Sequence, residues 1–268
     1  MTAVPPSPPR IRPRWSLPSI VVLAVVLWPM FGQAQQAASQ QGDGAAHSPA
    51  GHELYFGAVL FDKLEYGAGL GGPSLARWEG LAYYGTDYDR VFFRTQGETT
   101  RSARRIESAE FQLLYSRLIS YFWDVQAGVR VDPGLLGRPD RTYAVAAIQG
   151  LAPGLFAVSA QVFASQTGAV SFRGEASYDI RITQRLVLQP EVEMNLAVQR
   201  DRDIEVGTGV RNVEAGLRLR YEITREVAPY VGITYARSLG DTARLRRADD
   251  PGGTIESWNL VTGLRLFF

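Results

Sequence analysis

The sequence predicts an all-β fold, a closed up-and-down transmembrane β-barrel of about 12 antiparallel strands. Three observations predict it. From Leu54 onward, polar and apolar residues alternate with period two in one segment after another. The connections between those segments alternate between short and long. The chain ends on an alternating strand whose last residue is Phe268.

The N-terminal region precedes that pattern. Arg10, Arg12 and Arg14 form a basic stretch, Leu17 to Trp28 is apolar, and Gly32-Gln33-Ala34 ends in a small residue. This is the layout of a cleavable signal peptide spanning residues 1–34. A membrane-anchoring helix is the competing reading, but the apolar run is shorter than the roughly 20 residues that cross a bilayer. Residues 35–52 are rich in Gln, Ala, Ser and Gly without periodicity, and too polar to bury the surface that would offset ordering them. They read as a flexible periplasmic tail, with residues 53–268 forming the barrel.

Along the barrel region the alternation is regular. Arg77, Glu79 and Tyr83 oppose Trp78, Gly80, Ala82 and Tyr84. Ser108, Glu110, Gln112 and Ser116 oppose Ala109, Phe111, Leu113 and Tyr115. The same holds for Arg173, Glu175, Ser177 and Asp179, for Gln189, Glu191, Glu193 and Asn195, and for Glu214, Arg218 and Arg220. A water-soluble sandwich also alternates, so the links decide. Short links fall at Thr86–Asp89, Leu118–Ser120, Ala152–Gly154, Thr183–Arg185 and Thr224–Glu226. Longer ones fall at Gly67–Ser74, Thr99–Arg105, Asp132–Asp140, Ser165–Ala169, Arg200–Gly209 and Leu239–Thr254. Five short and six long links separate twelve strands, an even number with both ends on the periplasmic side, as a bacterial barrel requires. The last strand must pair with the first, because an open edge in lipid strands backbone groups at several kcal/mol each.

Mid-strand Pro190 predicts a bulge or kink, and strand glycines such as Gly128, Gly216 and Gly263 predict sharp curvature. Aromatic residues near strand ends (Tyr66, Tyr83, Tyr84, Tyr121, Phe122, Trp123, Tyr143, Tyr221 and Tyr230) predict interfacial girdles.

Composition excludes several functions. There is no Cys, hence no disulfide or thiolate site, and the net charge of +1 with dispersed basic residues argues against a nucleic-acid partner. The only histidines, His47 and His52, precede the first strand. A Ser-His or Asp-His hydrolase needs an imidazole base near its nucleophile, so no enzymatic activity is expected. The partners expected on these grounds are outer-membrane lipid and the machinery that assembles barrels.

The inward faces predict a lumen network of Arg77, Glu79, Arg94, Glu98, Glu110, Asp124, Arg130, Arg173, Glu175, Asp179, Glu191, Glu193, Glu214, Arg218 and Arg220. Such charges satisfy one another across a narrow barrel. A carboxylate cluster of Glu191 and Glu193 beside Glu110 or Glu214 is an alternative, an oxygen site for a divalent cation.

Specific strings add a resemblance. Phe61-Asp62-Lys63-Leu64-Glu65-Tyr66, Arg77-Trp78-Glu79-Gly80, Arg94-Thr95-Gln96-Gly97-Glu98, Gln149-Gly150-Leu151-Ala152-Pro153 and the run from Leu217 to Tyr230 resemble, in order, the outer-membrane copper resistance protein B family. The resemblance implies a protein of the Gram-negative cell outer membrane in cellular copper homeostasis, binding copper or assisting its export with periplasmic copper-handling partners. It implies copper as ligand. Many members carry an N-terminal tract rich in Met and His, whereas the matching segment here has only His47 and His52, and Met194 is the sole methionine after residue 34. The candidate metal ligands are therefore His47, His52, Glu53 and Asp62. The alternative is a small-solute channel or structural barrel that binds no copper.

Overall fold

The computed structural model describes residues 54–70, 74–100, 105–135, 139–199, 208–240, 242–244 and 255–268. The segments read as signal peptide and tail, together with His47, His52 and Glu53, lie outside the described residues.

The segments are β1 (Phe56–Gly69), β2 (Leu75–Gly85), β3 (Asp89–Thr100), β4 (Arg105–Ser120), β5 (Trp123–Asp132), β6 (Arg141–Ala152), β7 (Phe156–Ser165) and β8 (Val170–Ser177). They continue with β9 (Ile180–Arg181), β10 (Leu186–Ala197), β11 (Gly209–Tyr221), β12 (Val227–Ser238) and β13 (Glu256–Phe267). Every pairing is antiparallel, between chain neighbours except where β8 pairs with β10, and β13 returns to pair with β1, which closes the sheet. β8 and β9 both pair with β10 and are two pieces of one interrupted strand, so the closed barrel has the predicted twelve. At the seam, Phe268 and Val59 exchange two backbone bonds of 2.8 Å each.

The links lie where predicted to within a few residues. The largest departure is the second short link, because β4 continues to Ser120 through an irregularity at Leu118, and the turn is Tyr121–Phe122.

Burial is inverted relative to a water-soluble protein. Leu113, Val192 and Leu260 are 52%, 48% and 56% exposed on the outer face, while Glu65 and Arg218 are 4% exposed inside. Only an apolar solvent makes that arrangement favourable, since in water the outer residues would forfeit about 1.5–3 kcal/mol each.

Two local features refine the alternation. At Asp62 the ladder slips against both neighbours, so that Phe61 pairs with Gly80 but Lys63 with Glu79. This β-bulge reverses the parity of β1 and turns Asp62 and Lys63, adjacent in sequence, into the same lumen.

At Pro190 the predicted bulge is absent: Pro190 keeps register with Leu217, and the irregularity in that pair lies at Asn195/Leu196. The effect falls instead on the other neighbour. Tyr178 donates its N–H to the Pro190 carbonyl at 3.1 Å, and the reciprocal bond is missing because proline has no N–H. The ladder therefore lapses at Tyr178 and Asp179 and divides β8 from β9. Restoring the donor with Pro190→Val is expected to join the two pieces and gain about 1 kcal/mol. Amide exchange checks this: slow exchange of the amide introduced at position 190 supports it, and exchange at the rate of a free amide rejects it.

A compact apolar group also lies inside the barrel. Phe92 pairs with Leu114, Leu114 with Gly128, Gly128 with Val145, and Val145 with Phe163, a cross-strand row that forms the buried core with Tyr143. Leu81 and Tyr83 pack against it. Gly128 sits in the row, where a Cβ would come within 2.0 Å of the Leu113 carbonyl, so close strand approach requires glycine there.

This row corrects part of the girdle reading. Tyr66, Tyr84 and Tyr221 are exposed on the outside as expected, while Tyr121 and Phe122 are exposed in the short turn at the rim, beside the cavity mouth. Tyr83 and Tyr143 belong to the interior row, and Tyr230 turns inward to a carboxylate. Their closeness to strand ends is the same in both cases; only strand parity separates them.

Candidate functional site

The site is the lumen. Its charges come from alternate positions of nearly every strand, and most of the predicted lumen charges are ion-paired across strands that are not neighbours.

Arg218 on β11 grips Glu65 on β1, Nε to Oε2 at 3.2 Å and Nη2 to Oε1 at 3.3 Å, and Tyr230 donates its hydroxyl to Glu65 at 3.1 Å. Arg218 Nη1 also donates to Glu191 at 2.8 Å. Lys63 Nζ bridges Glu191 at 2.6 Å and Glu79 at 2.9 Å. Arg77 on β2 reaches Glu214 on β11 in a two-bond pair and Glu98 at 3.5 Å.

On the other wall, Glu110 accepts two bonds from Arg173, at 3.1 and 3.0 Å, and lies 2.9 Å from Arg130. Arg130 also binds Asp132 and sits over the rings of Tyr143 and Phe163 at 4.9 and 4.7 Å. The arginines thus cover the apolar row, with their guanidinium groups over aromatic faces. Nearer the short-turn rim, Arg90 pairs with Asp124 at 3.0 Å and Arg220 with Asp179 at 3.0 Å.

Pairs such as Lys63–Glu191, Arg77–Glu214 and Glu110–Arg173 cross the interior and occupy it. Toward the short-turn rim they leave two cavities of about 440 and 420 Å³ that share Asp62, Glu79, Gln149, Glu175 and Gln189. Toward the long loops a space of about 80 Å³ remains beside Arg130, Arg141 and Arg173.

The carboxylate-cluster alternative is not what the geometry gives. Glu110, Glu191 and Glu214 are each held by their own cations, and Glu193 lies 3.8 Å from Arg173 and accepts from Asn195. Repulsion between carboxylates is lowest when cations intervene, and the lumen arginines do so. Among the described residues no group of three or more His, Cys, Asp or Glu could hold a metal ion. Of the candidate ligands only Asp62 is described, and it is paired with Arg265 at 2.9 Å.

Sequence reasoning missed Lys63, Glu65, Arg90 and Arg265. For Arg90 a signal existed, since Arg90, Arg94 and Glu98 are four residues apart and share a face. For Lys63 and Glu65 the bulge at Asp62 concealed it.

A closed antiparallel barrel with an apolar outside and an ion-paired lumen is a β-barrel of the outer-membrane type. The chain belongs to the copper resistance protein B family: the family model described as Copper resistance protein B precursor (CopB) matches residues 55–268. It is 40% identical to the Copper resistance protein B homolog of Pseudomonas syringae pv. tomato over 82% of this chain and 74% of that one. It is 35% identical to Copper resistance protein B of Escherichia coli over 81% of this chain and 73% of that one. Among solved structures the NanC porin aligns with 79% of this chain and 99% of its own at a TM-score of 0.51 and 11% identity, a likeness of fold alone.

Proposed function

We propose that this protein is a non-enzymatic barrel of the cell outer membrane that acts in copper homeostasis by assisting copper to leave the periplasm, not by storing it in the barrel wall. The supporting observation is the donor chemistry of the barrel. Copper(I) favours thioether or thiolate and copper(II) favours imidazole with oxygen donors. The barrel region has no His or Cys, and its one methionine, Met194, lies on the outer face. The interior offers carboxylates, most of them already held by Arg or Lys. A metal meeting such groups is held weakly and released readily, which suits passage and not sequestration. His47 and His52 are the only imidazoles of the chain and the proposed point of first capture, before transfer to the acidic short-turn cavity.

Deleting the gene is expected to lower copper tolerance several-fold, and the full chain to restore it. Unchanged tolerance would instead favour a general channel or structural barrel. Copper titration of the purified chain with and without residues 35–52 separates capture from passage. Tight copper(II) binding that vanishes with the segment assigns capture to His47 and His52. Equal tight binding by both forms places it in the barrel and overturns the proposed division of labour.

A further inference from the structure

The lumen's ion pairing has two omissions. Among the described residues, every charge the sequence assigns to the lumen has an oppositely charged side chain within 4 Å except Arg94 on β3 and Glu175 on β8. Arg94 uses a single nitrogen, Nη2, for its hydrogen bonds, which go to the neutral amides of Gln126, at 3.1 Å, and Gln149. Its Nε is buried and has no partner among the described residues. Glu175 accepts one hydrogen bond, from the Ser159 hydroxyl at 3.2 Å.

Both residues line the same cavity of about 420 Å³, yet no hydrogen bond or ion pair joins them. β3 and β8 are five steps apart around the wall, so the two charges face the cavity from well-separated strands. Burying a charge without a partner of opposite sign is costly, and the rest of this lumen avoids it. Between them the cavity wall carries the neutral hydrogen-bonding groups Gln112, Gln149, Ser159 and Gln161, and the one charge there, Glu110, is already held by Arg173. Its volume falls within the roughly 300–1,000 Å³ of small-molecule sites. It shares Glu79 and Glu175 with the second cavity, which reaches the Tyr121–Phe122 turn and so communicates with the short-turn rim.

We infer that this cavity binds a small zwitterion of the α-amino-acid class, its carboxylate toward Arg94 and its ammonium toward Glu175. The guanidinium supplies a planar set of donors suited to a carboxylate, and Glu175 with nearby Glu79 supplies acceptors for an ammonium. The glutamine amides accommodate polar side chains without selecting a charge. The site goes beyond the copper reading and does not depend on it.

Saturation-transfer NMR on the full-length chain in detergent tests this, with glycine as probe and acetate and methylammonium, each carrying one of its charges, as controls. Glycine is expected to bind about tenfold or more tightly than either control, because each lost charged contact costs about that factor. Arg94→Gln is expected to bring glycine down to the affinity of methylammonium and Glu175→Gln to that of acetate, while Arg94→Lys retains part of the carboxylate's contribution. Heat-modifiability in gel electrophoresis confirms that each variant is a folded barrel, and the Glu175→Gln variant stands in if Arg94→Gln does not fold. Glycine binding no tighter than the controls, or unaffected in the folded variants, overturns the inference. Copper tolerance of the same variants is a separate readout: lost glycine binding with normal tolerance leaves the zwitterion site standing and unlinked to copper.

Discussion

Glu65→Leu is expected to destabilise the folded barrel by about 3 kcal/mol, the lower end of the roughly 3–5 kcal/mol typical when one member of a buried ion pair is removed. Glu65 and Arg218 are the most enclosed of the lumen pairs described, with side chains 1% and 4% exposed. The substitution also strips Tyr230 of its acceptor. Glu191 retains its contact with Arg218 at 2.8 Å, which is why the lower end applies. The double variant Glu65→Leu/Arg218→Leu is expected to recover much of the loss, because no buried charge is left behind and Lys63 still neutralises Glu191. Urea unfolding in lipid vesicles followed by tryptophan fluorescence measures both. A double variant less stable than Glu65→Leu would mean that Arg218 contributes chiefly by other means than balancing Glu65.

The second large effect lies on the opposite face of the wall. Leu113 is at mid-strand on β4, exposed on the outside. Leu113→Arg is expected to cost about 2–4 kcal/mol in vesicles, the penalty for a cation at the bilayer midplane of a barrel. Val131, exposed near the long-loop end of β5, is the matched control, where the same substitution should cost about 0–1 kcal/mol. That gradient with depth is what a membrane imposes and water does not. Equal costs at the two positions would mean that the outer face is not immersed in hydrocarbon at Leu113.

The ion-paired interior braces the barrel. Pairs between non-adjacent strands, such as Lys63–Glu191 and Arg77–Glu214, brace the cylinder across its width and fill it at the same time. A solute moving through must pass or exchange partners with these charges. A strongly coordinated metal would compete with the pairs that hold the wall together, so the proposed passage of copper calls for weak, transient contacts.

Twelve strands and the position of nearly every link could be read from the sequence. The reason is physical: lipid outside and polar residues inside give each strand two chemically unlike faces, and period-two alternation records which is which. Glycine, proline and charge mark the links because backbone that leaves the sheet must be solvated. Partner choice was not legible. Glu65 meets Arg218 from 153 positions away, and neither residue carries a local sign of the other. The bulge at Asp62 reversed the strand's parity and hid Lys63 and Glu65, because one added residue flips every side chain beyond it. Tyr83, Tyr143 and Tyr230 stand near strand ends like the outward tyrosines, and strand parity, not closeness to an end, turns them inward. The effect of Pro190 fell on β8 and β9, because the missing N–H is one that its neighbour would have accepted. The sequence by itself determined the architecture and the family, since both reside in patterns repeated along the chain. Only the tertiary structure decided which charges neutralise each other and which two, Arg94 and Glu175, are left facing a cavity, since Coulomb attraction acts through distances that exist only once the barrel has closed.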